Sequence, residues 1–313
     1  MRVAIIDLGT NTFNLLVCGW ENEFSVIHSE EVAVFLGRGG MEHRMLTNDA
    51  MDRGINALRS IVEKARELGA ERIDAFGTSA LRNARNAHVF VARVKDEFKI
   101  DVRIINGEEE ATLILEGVRK AVTFTAKPML VMDIGGGSVE FILATNKALM
   151  WKRSFEIGVT RLLERFSPSD PITIEEHFRI ASYLDTQLEP LFAMMDRHWP
   201  SVLVGSAGVF STLATITGNI RGFSGATPSS TISNDEYLTI REALLSLSSA
   251  ERHKLFSVPI YQASFIPMVF VLIDAILARQ YMTLICCGYA LREGLVVRML
   301  IDPSSTVHPS KHH

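Results

Sequence analysis

A chain that runs a short apolar strand into Asp-x-Gly, and does so twice, is restricted to folds built from two copies of one plan. "VAIIDLGTNTF" (Val3 to Phe13) and "LVMDIGGGSVEF" (Leu130 to Phe141) are such stretches, with their aspartates at positions 7 and 133. The continuous apolar run before each aspartate is expected of a strand buried on both faces. The elements that follow also repeat. In the first half come "TFNLLVCGW" and "EFSVIHSEEVAVF", strand-like and rich in β-branched and aromatic residues. Met51, Ile55, Leu58, Ile61, Val62, Ala65 and Leu68 then recur at helical spacing, with Gly69 placed to end the helix. "RIDAFG" and "DVRII" are predicted strands; "ALRNARNAHVFVARVKDEF" and "EEEATLILEGVRKAV" are predicted helices.

The second half reads in nearly the same order. Strands "MLVMDI", "VEFILA" and "KALMWKRSFE" precede helices over 159–166 and 173–194, the strand "SVLVGSA" and a helix from about Val209. The polar stretch from Thr217 to Ser233 is predicted to be a surface loop. Helices over 235–247 and 260–279, the strand "MTLICC" and a helix from Tyr289 follow. The expected class is therefore α/β, with two domains, which a length of 313 residues accommodates. The domains are placed at 1–125 and 126–302, joined near "TAKP" (Thr125 to Pro128), with room for the last helix to pack back on the first. Residues 303–313 are expected to be a disordered tail.

Composition narrows the function. A net charge of −4 argues against DNA or RNA as a partner, because nucleic-acid binding needs a basic face to displace counterions. Any anionic ligand must be met by local donors. The three cysteines (Cys18, Cys286, Cys287) are too few for a disulfide framework, which suggests a reducing cytoplasm. Asp7 interrupts the first apolar stretch, so no signal peptide is expected. In the apolar region from Phe265 to Cys287 the longest uncharged run ends at Ile273, too short to span a membrane.

A glycine-rich turn after a buried strand presents backbone N–H groups that have no strand partner, and these can converge on a phosphate oxygen. Thr10, Thr12 and Ser138 add hydroxyls. An aspartate at the same place repels phosphate unless a cation lies between them, and aspartate plus phosphate oxygens is a usual setting for Mg²⁺. Either turn alone reads equally well as a simple tight turn. Two at matched places point to a clamp on one phosphate chain. "LGRGG" (Leu36 to Gly40) lacks dinucleotide-site spacing, and neither a Walker A motif nor zinc-ligand spacing is present. "NGEEEA" sets three carboxylates in a first helical turn, where the helix dipole alone would favour them. One of them is a candidate for activating water; the residues themselves do not separate Glu109 from Glu110.

The pair "DLGTNTF" and "DIGGGSVE" resembles the phosphate motifs of the sugar-kinase, chaperone-ATPase and actin superfamily. With "GTSALRNARNA", "INGEEEATLI", "GSAGVFSTL" and "GYALREGL", the chain is similar over nearly its whole length to the exopolyphosphatase and guanosine pentaphosphate phosphohydrolase family. The resemblance implies two ribonuclease-H-like (actin-like ATPase) domains with mixed sheets flanked by helices and an active site in the cleft between them. It implies Glu110 as the catalytic base. It places phosphate on Gly9, Thr10, Asn11 and Thr12, on Thr78, Ser79 and Arg82, on Gly135, Gly136, Gly137 and Ser138, and on Gly205 and Ser206. Asp7, Asp133 and Glu140 would hold Mg²⁺; Arg85 is read as a solvated helix residue.

The implied activity is removal of the terminal phosphate of inorganic polyphosphate or guanosine pentaphosphate by water. The alternatives are a sensor that binds guanosine penta- or tetraphosphate without turnover, and a kinase of the same superfamily. "GSAGVF", Tyr289 and Asn14 depart from the family pattern, and bear on substrate choice more than on chemistry. The chain ends at 313 without the further C-terminal domains of longer relatives, so efficient processing of very long polyphosphate is not expected. A homodimer is the expected association.

Overall fold

The computed structural model describes residues 2–20, 24–221 and 227–301; the expected tail at 303–313 lies outside them. The first sheet contains β1 (Arg2–Leu8), β2 (Thr12–Trp20), β3 (Phe24–Ala33), β4 (Arg72–Gly77) and β5 (Val102–Ile104) in the order β3-β2-β1-β4-β5. β1, β2 and β3 are antiparallel neighbours, whereas β4 and β5 continue the sheet in parallel with β1. Its helices are α1 (Asn48–Glu67), α2 (Ser79–Asn83), α3 (Ala87–Phe98) and α4 (Gly107–Ala121).

The second sheet is the same plan. It contains β6 (Met129–Ile134), β7 (Val139–Ala144), β8 (Leu149–Phe155), β9 (Val202–Ser206), β10 (Ser229–Ile232) and β11 (Thr283–Cys287), ordered β10-β11-β9-β6-β7-β8. Read from β8, the first five positions repeat the first sheet's pairing, and β10 is an added antiparallel edge. Around it lie α5 (Val159–Phe166), α6 (Ile174–Gln187), α7 (Glu189–His198), α8 (Gly208–Ile220), α9 (Asn234–Leu245), α10 (Ser249–Phe256), α11 (Ile260–Ala263), α12 (Ile266–Leu277) and α13 (Leu291–Ile301). The mixed, helix-flanked sheets of the expected class are thus observed.

Alternation along each central strand decides the layers. Ala4, Ile6 and Leu8 face the core shared with α1 and α3, while Ile5 faces the opposite way. Leu130 and Met132 face the helices of the second half, while Met129 and Val131 join Ile5. One core therefore lies between the two sheets, and α4 and α13 fill it. This middle layer explains why the first strand of each half is apolar on both faces.

α4 and α13 cross at glycines. A Cβ on Gly294 would run into the Leu113 carbonyl, and one on Gly117 into the Ala290 carbonyl. Gly294→Ala is expected to lower the melting temperature by roughly 3–10 °C, from an overpacking cost of about 1–3 kcal/mol. An unchanged melting curve would show that the two helices separate freely.

Four expected elements differ from the structure. The helix predicted from Ala80 is broken between α2 and α3. There Arg85 N–H donates to the Arg44 carbonyl, and the Asn86 side chain brackets both backbone groups of Leu46. The predicted helices over 173–194 and 260–279 each divide before a proline, at Leu188 ahead of Pro190 and at Phe265 ahead of Pro267. The predicted loop 217–233 contains β10, because pairing with β11 supplies the hydrogen bonds that its Ser and Thr residues do not announce. No helix among the described residues is long and apolar enough to cross a membrane.

Candidate active site

The two Asp-Gly turns are built alike. Gly9 N–H donates to the Thr12 carbonyl at 3.1 Å, and Gly135 N–H to the Ser138 carbonyl at 3.0 Å. Directly across each hairpin, Asp7 faces Asn14 and Asp133 faces Glu140, so each pair shares one face of its sheet. The second domain meets the first turn: Thr160 of α5 donates Oγ1 to Asn11 Oδ1 at 2.6 Å. A Cβ on Gly136 would stand 2.7 Å from the Asn11 amide nitrogen, and one on Gly137 2.5 Å from Ser79 Oγ. The glycines of the second turn thus admit the first domain as closely as they would admit a ligand.

Between the domains lies a cavity of about 430 Å³. Asp7, Gly9, Thr10, Asn11 and Thr12 line it from one side, with Thr78, Ser79 and Glu110. Asp133, Gly135, Gly136, Gly137, Ser138 and Glu140 line it from the other. Three expected phosphate contacts are not among its lining residues. Gly205 packs its Cα against the Phe210 ring, and Ser206 turns its hydroxyl onto Asp133 Oδ2 at 2.5 Å. Arg82 lies behind Glu110, with Nη1 donating to Glu110 Oε2 at 2.6 Å and to the Ile105 carbonyl at 3.3 Å. α2, which Thr78 opens, is only five residues long and gives little helix dipole to a phosphate.

The structure separates the three glutamates of "NGEEEA". Asn106 caps α4 by accepting from Glu109 N–H at 2.8 Å. From that start Glu109 turns outward onto Arg103, Glu108 is solvated near Lys152, and Glu110 turns inward, buried, above Ile114 on the cavity wall.

Burial dominates the electrostatics. It pushes Asp7 up to about 7, against the nearby Arg292 charge and the Asn14 amide, which donates to Oδ2 at 3.2 Å. Burial raises Asp133 to about 6, against the Ser206 hydroxyl bond. Glu110 is raised by burial although Arg82 opposes it, and Glu140 is raised well above the ordinary range by burial and by the Glu110 and Asp133 charges. Four carboxylates in one cavity stay protonated at higher pH than usual unless a cation joins them.

Asp7 Oδ1 is the atom that shows the fit to a cation: it is buried and has no hydrogen-bond partner. Glu140 is different, since its Oε1 accepts from Ser154 Oγ at 2.7 Å. Among the described residues no three His, Cys, Asp or Glu side chains converge into a ligand cluster, so Asp7, Asp133 and Glu140 do not form one. Mg²⁺ commonly takes one or two carboxylates and completes its shell with water and phosphate oxygens, which suits aspartates on facing walls.

Several lining residues were not anticipated. Arg292, in the first turn of α13, is the one Lys or Arg on the cavity wall among the described residues. It reaches the first domain by donating Nη1 to Ser29 Oγ at 3.2 Å. Its stretch, "GYALREGL", carries the resemblance, yet spacing alone gave the arginine no role. Glu31, Thr212, Tyr261 and Gln262 also line the wall. Thr212 belongs to "GSAGVFSTL", which gave it no role, while Glu31, Tyr261 and Gln262 come from distant segments without a motif, so no sequence signal marks them.

Paired domains of one topology, closed on a cavity walled by Asp-Gly turns, define a two-domain α/β protein. Residues 18–302 match the Ppx/GppA phosphatase family, and the chain belongs to that family. It is 26% identical to Exopolyphosphatase 1 of Mycobacterium tuberculosis over 322 aligned positions, covering 99% of this chain and 94% of that protein. The crystal structure of an exopolyphosphatase from Cytophaga hutchinsonii is similar at 34% identity and a TM-score of 0.93, covering 96% and 98% of the two chains. The Aquifex aeolicus Ppx/GppA family member superposes with a TM-score of 0.78 at 26% identity, covering 98% and 99%.

Proposed function

We propose that this protein is a phosphohydrolase that removes the terminal phosphate of inorganic polyphosphate or of guanosine pentaphosphate. The observation that carries this reading is that Asp7 from one domain and Asp133 from the other line one cavity together with buried Glu110 and the residues of both turns. Membership of the Ppx/GppA family and the likeness to named exopolyphosphatases support the same reading.

In this reading Gly9 to Thr12 and Gly135 to Ser138 bind the phosphate chain from both sides and fix its last phosphorus in line with water. Glu110 accepts the proton of that water, its raised basicity arising from burial. Arg82 orients Glu110. Asp7 and Asp133 would hold the metal, with Asn14 and Ser206 orienting them. When bound, Mg²⁺ neutralises charge on the phosphoryl oxygens.

The test is phosphate release from polyphosphate and from guanosine pentaphosphate, with Mg²⁺ and with chelator. Release that stops on chelation is expected from at least one substrate. Tight binding of the guanosine nucleotides without release would replace the reading by a sensor. ATP consumption with transfer to an added acceptor would replace it by a kinase.

A further inference from the structure

Contacts between the domains at the cavity rim converge on a carboxylate that the proposed reaction does not use. Glu156 follows β8, in the second domain. Its Oε2 accepts from Ser79 Oγ at 3.2 Å, Asn83 Nδ2 at 2.9 Å and Arg161 Nη2 at 2.6 Å. Ser79 and Asn83 belong to α2 of the first domain, and Arg161 to α5 of the second. Arg161 is itself fixed, donating Nε to the Gly137 carbonyl at 2.8 Å. With Oε2 engaged by three donors, Oε1 faces Arg82 Nη2 at 3.6 Å. That Nη2 also reaches Ser138 Oγ at 3.4 Å, while Nη1 holds Glu110 Oε2 at 2.6 Å.

Arg82 thus stands between two carboxylates from different domains. Arg82 and Glu110 are set by elements of one domain, and their pairing needs nothing from the other. Glu156 and Ser138 come from the second domain, so their share of the guanidinium exists only with the cleft closed. The guanidinium is a rigid planar fork, so acceptors on Nη2 fix its plane and thereby the direction from which Nη1 holds Glu110.

We infer that Glu156 is a positioning residue that acts through Arg82, setting the guanidinium, and with it the orientation of Glu110 towards the attacking water, only when the two domains meet. The inference rests on the reading of Glu110 as the base. It couples water activation to enclosure of the phosphate chain, as expected of sites completed by closure.

The test is a double-mutant cycle read in steady-state kinetics with polyphosphate and Mg²⁺. Glu156→Gln is expected to lower kcat about tenfold with KM changed less than about threefold, and Glu156→Asp to recover part of the loss. In an Arg82→Lys background, which lacks the fork, Glu156→Gln is expected to change kcat less than about twofold. Melting curves of each variant show that it is folded. A kcat within about twofold of the parent for Glu156→Gln overturns the inference. So does an equal loss in both Arg82 backgrounds, which would mean that Glu156 only ties the domains through Ser79 and Asn83. Glu110→Gln belongs in the same series: full turnover there removes the base and this inference together. Its inactivity combined with an additive cycle removes this inference alone.

Discussion

Replacing Glu110 by glutamine is expected to lower phosphate release about 10²–10⁴-fold with little change in KM. The amide keeps the size of the side chain, and it can still accept from Arg82 through its oxygen. It cannot take a proton from water. Glu109→Gln is the matched control. Its carboxylate is spent on Arg103 and lies 3.7 Å from Arg298, so a change of less than about threefold is expected there. Glu110→Gln with turnover within about tenfold of the parent would remove Glu110 from the role of base. Loss of activity in Glu109→Gln alone would move the role to its neighbour.

Asp7→Asn is expected to move activity and stability in opposite directions. Activity should fall at least about 100-fold at limiting Mg²⁺, because a neutral amide replaces a charged ligand. Stability without metal should rise. Burial lifts Asp7 from 3.8 to about 7, so the folded protein holds a proton there that the unfolded chain has released. Between about pH 4 and pH 7 the native state therefore binds more protons than the unfolded one, and stability declines as pH rises through that window. At pH 7.5 nearly the full cost of the buried charge is present, on the order of 4 kcal/mol. The asparagine variant lacks that cost and should melt several degrees higher. The difference should shrink towards pH 5, where the parent is protonated, and Mg²⁺ should raise the parent's melting temperature more at pH 7.5 than at pH 5. A variant that melts at or below the parent at pH 7.5 would show that the Asp7 charge is already compensated in the metal-free protein.

Legibility in the sequence followed the range of the interactions. Val3 to Phe13 and Leu130 to Phe141 were readable because strand burial and a Gly-permitted turn are local properties, and duplication made the coincidence informative. The helix breaks at Ala84, Leu188 and Phe265 were harder, although two of them precede prolines. β10 was not readable at all, since its partner, β11, lies some fifty residues further along the chain. The same limit applied to the site. Glu109 and Glu110 are neighbours with equal propensity, and only the packing of α4 turns one outward and the other inward.

Apart from β10 and the three helix breaks, the order of chain elements was determined by the sequence alone, as were the matched turns and the acidic residues at their heads. They depend on periods of two and 3.6 residues and on what glycine permits, which are written within a few neighbouring positions. The tertiary structure decided which side chains face one another: Arg82 behind Glu110, Ser206 on Asp133, Arg292 arriving from the last helix, and Glu156 reaching across from the second domain. Those pairings join residues as much as 263 positions apart. They are fixed by the β6–β9 register, by the ends of β8 and α2, and by how α4 and α13 fill the layer between the sheets, and no stretch of neighbouring residues encodes that.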